Sequence, residues 1–212
     1  MPERYEKRRI THRGKTTDDP QVRAGFIGCG SHAYRNLYPA LQFAPVNLVA
    51  TCDRDREKAE AFAAQFGADA AYADHAEMLR NEDLEAVFIC VGYDEKGRPL
   101  YPPLAIDCLK AGRHVWIEKP PAAACGEIDA MAEAADAAGK SVMVGLKKMF
   151  FPANEKARAL MNDPEFGTPE LVSLQYPQYV PPVEAFERYR GGESCRSVTG
   201  FLDHLCHPCS LL

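Results

Sequence analysis

The sequence predicts an α/β fold in which helices cover both faces of a parallel sheet, followed by a region of different architecture. Short and nearly continuous apolar segments alternate with amphipathic segments from Val22 to about residue 146. Strands that are apolar on both faces are typical of parallel sheets buried between helices. Because crossovers between parallel strands are right-handed, we expect a doubly wound sheet.

Six segments are predicted to be its strands: VRAGFIG, NLVATCD, AAY, EAVFICV, RHVWIE and KSVMVG. The segment REKAEAFAAQFG follows the second strand and is predicted to be a helix that Asp55 caps and Gly67 ends. Its Ala59, Phe62, Ala63 and Phe66 share one face. Two further helices are predicted, one that ends in LAIDCLKAG and one over EIDAMAEAADAAG.

The pattern changes after residue 146. FFPANEKARALMND is predicted to be a helix, PELVSLQYPQYV an extended strand, and PPVEAFERYRGGESCRSVTG an irregular segment. We expect residues 147–212 to begin a second, α+β domain that is incomplete, because one strand cannot form a sheet. Residues 1–20 are highly charged and poor in aliphatic side chains, and we expect a flexible arm there.

Composition narrows the class of protein. A net charge of -5 provides no field that would attract nucleic acid, and no apolar run approaches the ~20 residues that cross a bilayer. The first residues lack the apolar core of a secretory signal. Several of the eight cysteines lie inside apolar segments, which indicates free thiols in a reducing compartment. We therefore expect a cytoplasmic protein that binds neither nucleic acid nor membrane.

The segment GFIGCGSHAY follows the first predicted strand and places Gly28, Gly30 and Ala33 in a GxGxxA pattern. Such a turn lets a pyrophosphate approach the backbone at the start of a helix, as in Rossmann folds. Asp53 ends the second strand and can accept hydrogen bonds from both ribose hydroxyls, which favours NAD. Arg54 leaves NADP open, since it can pair with a 2′-phosphate, stack on adenine or simply face solvent.

Lys119 follows the fifth strand in AGRHVWIEKPPA, at the edge where ligands bind in open α/β sheets. The triplet alone would equally suit a surface lysine in a salt bridge. Near the end, GFLDHLCHPCSLL places Asp203 and His207 four residues apart, on one face if the segment is helical. A metal site or an ordinary helix start remains open for this segment, although tetrahedral zinc needs four ligands and no second cluster is evident.

The sequence resembles the Gfo/Idh/MocA family, the glucose–fructose oxidoreductase and inositol dehydrogenase family of nicotinamide-dependent enzymes. The features that carry this resemblance are, in order, the glycine turn, the acidic end of the second strand, AGRHVWIEKP, VMVG and GFLDHLCH. The resemblance implies a Rossmann domain over 21–146 and a substrate domain with a mostly antiparallel sheet. It also implies that Lys119, Asp203 and His207 are catalytic. Histidine would act as base, the lysine would stabilise the charge on the oxygen, and Asp203 would orient substrate or imidazole.

We therefore expect oxidoreduction of a secondary alcohol or ketone in a sugar, cyclitol or related polyol, with NAD or NADP, in a homo-oligomer. A non-catalytic dinucleotide sensor or an inactive fragment is the alternative, although a sensor does not need the catalytic set. No metal is expected. The cofactor-binding residues are predicted to be Gly28, Gly30, Ser31, His32, Asp53, Arg54, Val91, Glu118 and Lys119.

Four departures from the family pattern carry expectations of their own. Pro208 follows His207, so Asp203 and His207 are expected to lie at the start of a helix rather than within one. Tyr101 falls where many members carry histidine, and Lys147 falls where asparagine or glutamine is frequent, so contacts to nicotinamide and substrate are expected to differ there. Family members continue well beyond the catalytic histidine, so we expect a truncated chain.

Overall fold

The computed structural model describes residues 20–193 and 195–211. Six strands form one sheet in the order β3-β2-β1-β4-β5-β6, and every pair of neighbours is parallel. This confirms the predicted α/β fold, because a strand order that reverses beside β1 belongs to the doubly wound sheet that binds dinucleotides. The strands are β1 (Val22–Ile27), β2 (Val46–Cys52), β3 (Ala70–Tyr72), β4 (Ala86–Ile89), β5 (His114–Ile117) and β6 (Val142–Val144).

Helices connect these strands and continue after the sheet. A π-helical turn over Ala33–Leu37 leads into α1 (Tyr38–Leu41), followed by α2 (Arg56–Phe66), α3 (His75–Asn81), α4 (Tyr101–Lys110) and α5 (Cys125–Ala138). A 3-10 turn over Lys147–Phe150 then precedes α6 (Pro152–Met161), α7 (Val183–Arg190) and α8 (Arg196–Cys209). None of these helices in the described chain combines the length and apolar character that crossing a membrane requires.

The predicted helix after β2 forms as expected. The Asp55 carboxylate accepts a hydrogen bond from the Lys58 N–H, and Gly67 ends the helix in the left-handed conformation. Its apolar face packs against the sheet and α1, where the Phe66 ring stacks on that of Tyr38 with centroids 4.7 Å apart. Helix α3 was not predicted from the sequence; the Asp74 carboxylate caps it by accepting a hydrogen bond from the Ala76 N–H.

The end of β1 needs glycine. Gly28 has a φ of +107°, and a Cβ at this position would overlap the carbonyl oxygen of Cys90 at the end of β4. The close approach of the two chain segments brings the glycine turn against the middle of the sheet edge. This edge carries the residues of the candidate site.

Two predictions after β6 are wrong. The segment around Leu171, expected to be a strand, pairs with no strand among the described residues, and the Leu171 side chain is 87% exposed. A lone extended segment has no neighbour to satisfy its backbone groups, so a strand-like composition is not enough. The segment expected to be irregular instead forms α7 and the start of α8, where Phe186 meets Phe201 edge to face. Val198 of α8 is fully buried.

Candidate active site

The glycine turn and the end of β2 are joined by the Asp53 carboxylate. Its Oδ2 accepts a hydrogen bond of 2.8 Å from the Cys29 N–H, and its Oδ1 accepts one of 3.0 Å from the Asp55 N–H. Asp53 therefore stabilises the turn itself, in addition to lying where the sequence predicts a ribose contact. Arg54, next to it, is exposed.

The turn has room for a diphosphate. A methyl group built on Gly30 would meet no atom within 4 Å, and Gly30, Ser31 and His32 are all exposed. The first N–H groups of the helix that follows have no carbonyl partner within that helix and favour a bound anion. The residues predicted to bind the cofactor at this turn therefore fit a dinucleotide phosphate.

His32 and Glu118 span the same edge from β1 to β5. His32 Nε2 lies 3.2 Å from Glu118 Oε1, and Glu118 Oε2 accepts a hydrogen bond of 3.0 Å from the Lys119 N–H. Between them, at the end of β4, the carbonyl oxygen of Val91 accepts a hydrogen bond of 2.9 Å from the Tyr101 hydroxyl. Tyr101 is buried, so its side chain supports the backbone beneath the edge.

Lys119 and Asp203 form an ion pair across the two regions of the chain. Lys119 Nζ lies 2.6 Å from Asp203 Oδ2, and the side chains are 15% and 19% exposed. The other oxygen of the carboxylate accepts a hydrogen bond of 3.0 Å from the Tyr93 hydroxyl. Both contacts of the Asp203 carboxylate are therefore to residues at the sheet edge. The family resemblance implied that Asp203 would orient either the substrate or the His207 imidazole, and the carboxylate does not contact that imidazole.

His207 lies one helical turn after Asp203. Both residues fall inside α8, as does Pro208, so the expectation that they would lie at a helix start is wrong. Pro208 has no N–H to donate to the His204 carbonyl oxygen, so the last turn of α8 lacks one backbone hydrogen bond. His207 is 5% exposed, and its buried Nδ1 has no hydrogen-bond partner within the described chain.

The surroundings of His207 favour the neutral form of its imidazole. Burial lowers its pKa below the ordinary value of 6.5, and the positive charges of Lys119 and Lys148 lower that pKa further. His204 acts in the same direction, and the negative charge of Asp203 opposes them. A neutral imidazole has one ring nitrogen that is able to accept a proton from a hydroxyl group.

Lys148, just after β6, forms another part of the site. Its Nζ donates a hydrogen bond of 2.6 Å to the Tyr176 hydroxyl oxygen, and the same atom lies 4.0 Å from the centroid of the Tyr176 ring. The Tyr176 and His207 ring centroids are 6.5 Å apart. Lys147, in contrast, is exposed.

The other polar residues near His207 bond within their own helix. Cys206 Sγ donates to the Asp203 carbonyl oxygen at 3.1 Å, and His204 Nδ1 lies 2.8 Å from the Gly200 carbonyl oxygen. In the part of the chain that the structure describes, no three His, Cys, Asp or Glu side chains are grouped as metal ligands.

Sequence reasoning missed Tyr93, Lys148 and Tyr176. Tyr93 lies two residues after Val91 in the loop that follows β4, and its position at the sheet edge was a usable signal. Lys148 and Tyr176 are 28 residues apart, and nothing in their local sequence distinguishes them from their neighbours.

Comparison with known proteins identifies the sheet region. The model of the Gfo/Idh/MocA family, described as an oxidoreductase family with an NAD-binding Rossmann fold, matches residues 22–146. The chain belongs to this family. The matched part of this Gfo/Idh/MocA member includes the glycine turn, Asp53 and Lys119, whereas Lys148, Asp203 and His207 follow it.

Individual members of the family are similar over more of the chain. A 1-carboxy-3-chloro-3,4-dihydroxycyclohexa-1,5-diene dehydrogenase of Comamonas testosteroni is 29% identical, over 75% of this chain and 39% of its own length. The scyllo-inositol 2-dehydrogenase (NADP(+)) IolU of Bacillus subtilis is also 29% identical, over 78% of this chain and 48% of its own. The chain thus spans less than half the length of these curated relatives.

Solved structures of the family agree with the fold. The WlbA dehydrogenase of Chromobacterium violaceum, solved with NADH and UDP-GlcNAcA, is 30% identical with a TM-score of 0.56, over 68% of this chain and 39% of that one.

Proposed function

We propose that this chain carries the cofactor site and the acid–base residues of a nicotinamide-dependent oxidoreductase for a secondary alcohol or ketone of a sugar, cyclitol or related polyol. The observation that carries the proposal is the Lys119–Asp203 ion pair of 2.6 Å beside a buried His207. A cation, a neutral imidazole and the edge of a dinucleotide-binding sheet are the groups that alcohol oxidation requires.

The cofactor would be held along the sheet edge. Gly28 and Gly30 would admit the diphosphate, with the first N–H groups of the helix at Ser31 and His32 facing it. Asp53 would bind the adenosine ribose, and Arg54 lies beside it. Val91 and Glu118, at the ends of β4 and β5, would flank the nicotinamide. When bound, the nicotinamide accepts a hydride from the carbinol carbon or returns it to the ketone.

His207 would take the hydroxyl proton. Its lowered pKa keeps the imidazole neutral near pH 7, so that one of its two ring nitrogens is an acceptor. Lys119 would donate a hydrogen bond to the same oxygen and stabilise the negative charge that develops there. In ketone reduction the same two residues would act in reverse, with protonated His207 as the acid.

Asp203 would act through Lys119. Its carboxylate holds the ammonium at 2.6 Å, and the Tyr93 hydroxyl holds the carboxylate in turn. A lysine side chain with four rotatable bonds is thereby held in one place before substrate binds, which reduces the entropy lost in the reactive complex.

The substrate class is supported by the relatives. The two curated relatives are named for a dihydroxycyclohexadiene and for scyllo-inositol, and the WlbA structure contains UDP-GlcNAcA. We assign dinucleotide binding to residues 21–146 and substrate binding to a domain that begins at 147–212. We further propose that the full-length protein is a homo-oligomer.

The test combines cofactor binding with turnover. NAD and NADP are titrated by fluorescence, and NAD reduction at 340 nm is followed with sugars and cyclitols as substrates. In the full-length protein, NAD binding with turnover that Lys119→Ala abolishes is expected. An exposed lysine on α4, changed as Lys110→Ala, is the matched control. Tight NAD binding without turnover of any substrate would favour a dinucleotide sensor and reject the enzyme.

A further inference from the structure

We propose that Lys148 and Tyr176 bind a carboxylate of the substrate, which would make the preferred substrate a sugar or cyclitol acid rather than a neutral polyol. This inference rests on the proposed function and adds the substrate class to it. Three observations lead to it: the charge balance around His207, the hydrogen-bonding capacity of the Lys148–Tyr176 pair, and the position of that pair.

The charge balance around His207 is incomplete. Two lysines, Lys119 and Lys148, act on its imidazole. Lys119 is neutralised by Asp203, but Lys148 forms no ion pair with any carboxylate of residues 20–193 or 195–211. The half-buried ammonium of Lys148 contacts the Tyr176 hydroxyl and ring, and an anionic ligand would supply the counter-ion that these neutral groups do not.

The Lys148–Tyr176 pair has hydrogen-bond donors that no group of the described chain uses. Lys148 Nζ donates one hydrogen to the Tyr176 oxygen, so its two other hydrogens and the Tyr176 hydroxyl hydrogen remain for a ligand. Two adjacent donor groups match the two oxygens of a carboxylate in a charge-assisted contact. A phosphate presents three terminal oxygens and more charge, which sites usually meet with arginine or several N–H groups.

The pair is also placed to hold one end of a small ring. The centroid of the Tyr176 ring is 6.5 Å from that of the His207 ring. A substrate whose hydroxyl reaches His207 and Lys119 would therefore have its far side close to Lys148. Two fixed points, one at the reacting oxygen and one at the carboxylate, would orient the ring in the site.

The neighbouring lysine gives a matched control. Lys147 and Lys148 carry the same charge, but Lys147 is exposed, whereas Lys148 is half-buried against Tyr176. Lys147→Gln and Lys148→Gln change the net charge equally. A general electrostatic attraction would respond to both variants, whereas a built contact responds to Lys148→Gln alone.

The experiment compares acids with their neutral amides on the full chain in the presence of NAD. Saturation-transfer NMR measures binding of glucuronate, galacturonate and tartrate against the matching amides. We expect at least one acid to bind about 5- to 10-fold more tightly than its amide, the gain of a charge-assisted contact that is partly exposed. Lys148→Gln should remove this preference, Tyr176→Phe should reduce it about 2- to 3-fold, and Lys147→Gln should retain it.

Three results would overturn the inference. Equal binding of acid and amide in all three pairs would show that no carboxylate site exists. Loss of the preference in Lys147→Gln would assign it to surface charge or to the neighbouring lysine. Tighter binding of galactose 1-phosphate than of galacturonate would replace the carboxylate by a phosphate. Failure of the proposed function is seen separately, as NAD binding without turnover of any substrate, which leaves the acid–amide comparison readable.

Discussion

Lys119 Nζ and Asp203 Oδ2 are 2.6 Å apart, although 84 positions separate the two residues in the chain. The contact fastens α8 to the edge of the sheet at the end of β5. The Tyr93 hydroxyl adds a second link at 3.0 Å from the loop after β4. His207, one turn further along α8, is thereby brought to the edge where the glycine turn lies.

The ion pair should show strong coupling in a double-mutant cycle. Either Lys119→Met or Asp203→Asn leaves a poorly solvated partner and should lower the free energy of unfolding by about 1–3 kcal/mol, less than for a fully buried pair. The double variant should lose less than the sum of the two. Urea unfolding of the four proteins measures this, and additive losses would show that the pair contributes no coupling.

The pH dependence of activity should reflect the lowered pKa of His207. Alcohol oxidation needs neutral imidazole, so kcat/KM should fall only when the pH drops below the ordinary 6.5. Lys148→Gln removes one of the positive charges that lower this pKa and should move the acid limb to higher pH. A pH–rate profile that is the same in both proteins would contradict the electrostatic role of Lys148.

The free energy of unfolding should also depend on pH through His207. Between the lowered pKa of the folded state and 6.5, the unfolded chain binds a proton at this histidine and the folded chain does not. The contribution of neutral His207 to the free energy of unfolding is therefore complete above pH 6.5 and is lost as the pH falls through this window. Urea unfolding of wild type and His207→Gln from pH 5 to 8 measures it, and a difference between the two that does not change with pH would contradict this origin.

Cofactor preference should depend on Asp53. A carboxylate at the adenosine ribose repels a 2′-phosphate, so NAD should bind more tightly than NADP by about 1–3 kcal/mol. Asp53→Ser should reduce that difference, and it should also weaken binding of both cofactors, because the Cys29 N–H loses its acceptor. The exposed Glu57→Gln is the control for charge. Tighter binding of NADP by the wild type would instead assign Arg54 to the 2′-phosphate.

Catalysis should depend on Lys119 and His207 separately from cofactor binding. In the full-length protein, Lys119→Ala and His207→Ala should each lower kcat by roughly 10²–10⁴-fold, while the NAD dissociation constant changes little. Steady-state kinetics and fluorescence titration of the same preparations provide the two measurements. Near-normal turnover in His207→Ala would remove histidine as the base.

The sheet was predicted well from local sequence pattern, because strands, caps and turns are specified by residues that are close together in the chain. The six strands were predicted from apolar segments, and α2 from the Asp55 cap and the glycine that ends it. Prediction failed where packing decides, as at Leu171, whose segment has strand composition but no neighbouring strand in the described chain. Prediction failed also around Phe186, in a segment with glycine and proline that was expected to be irregular. This segment forms α7 and the start of α8, and Phe186 of α7 contacts Phe201 of α8.

By itself, the amino-acid sequence determined the dinucleotide-binding sheet, the glycine turn that needs Gly28, and the residue types of the candidate site, because turns, caps and apolar periodicity act over a few residues. Only the tertiary structure decided which partners those residues have. It placed Asp203 on Lys119 and Tyr93, and it brought Lys148 and Tyr176 to His207. Such contacts join segments that are far apart in the chain, and they depend on how helices dock on the sheet, which short-range pattern does not encode.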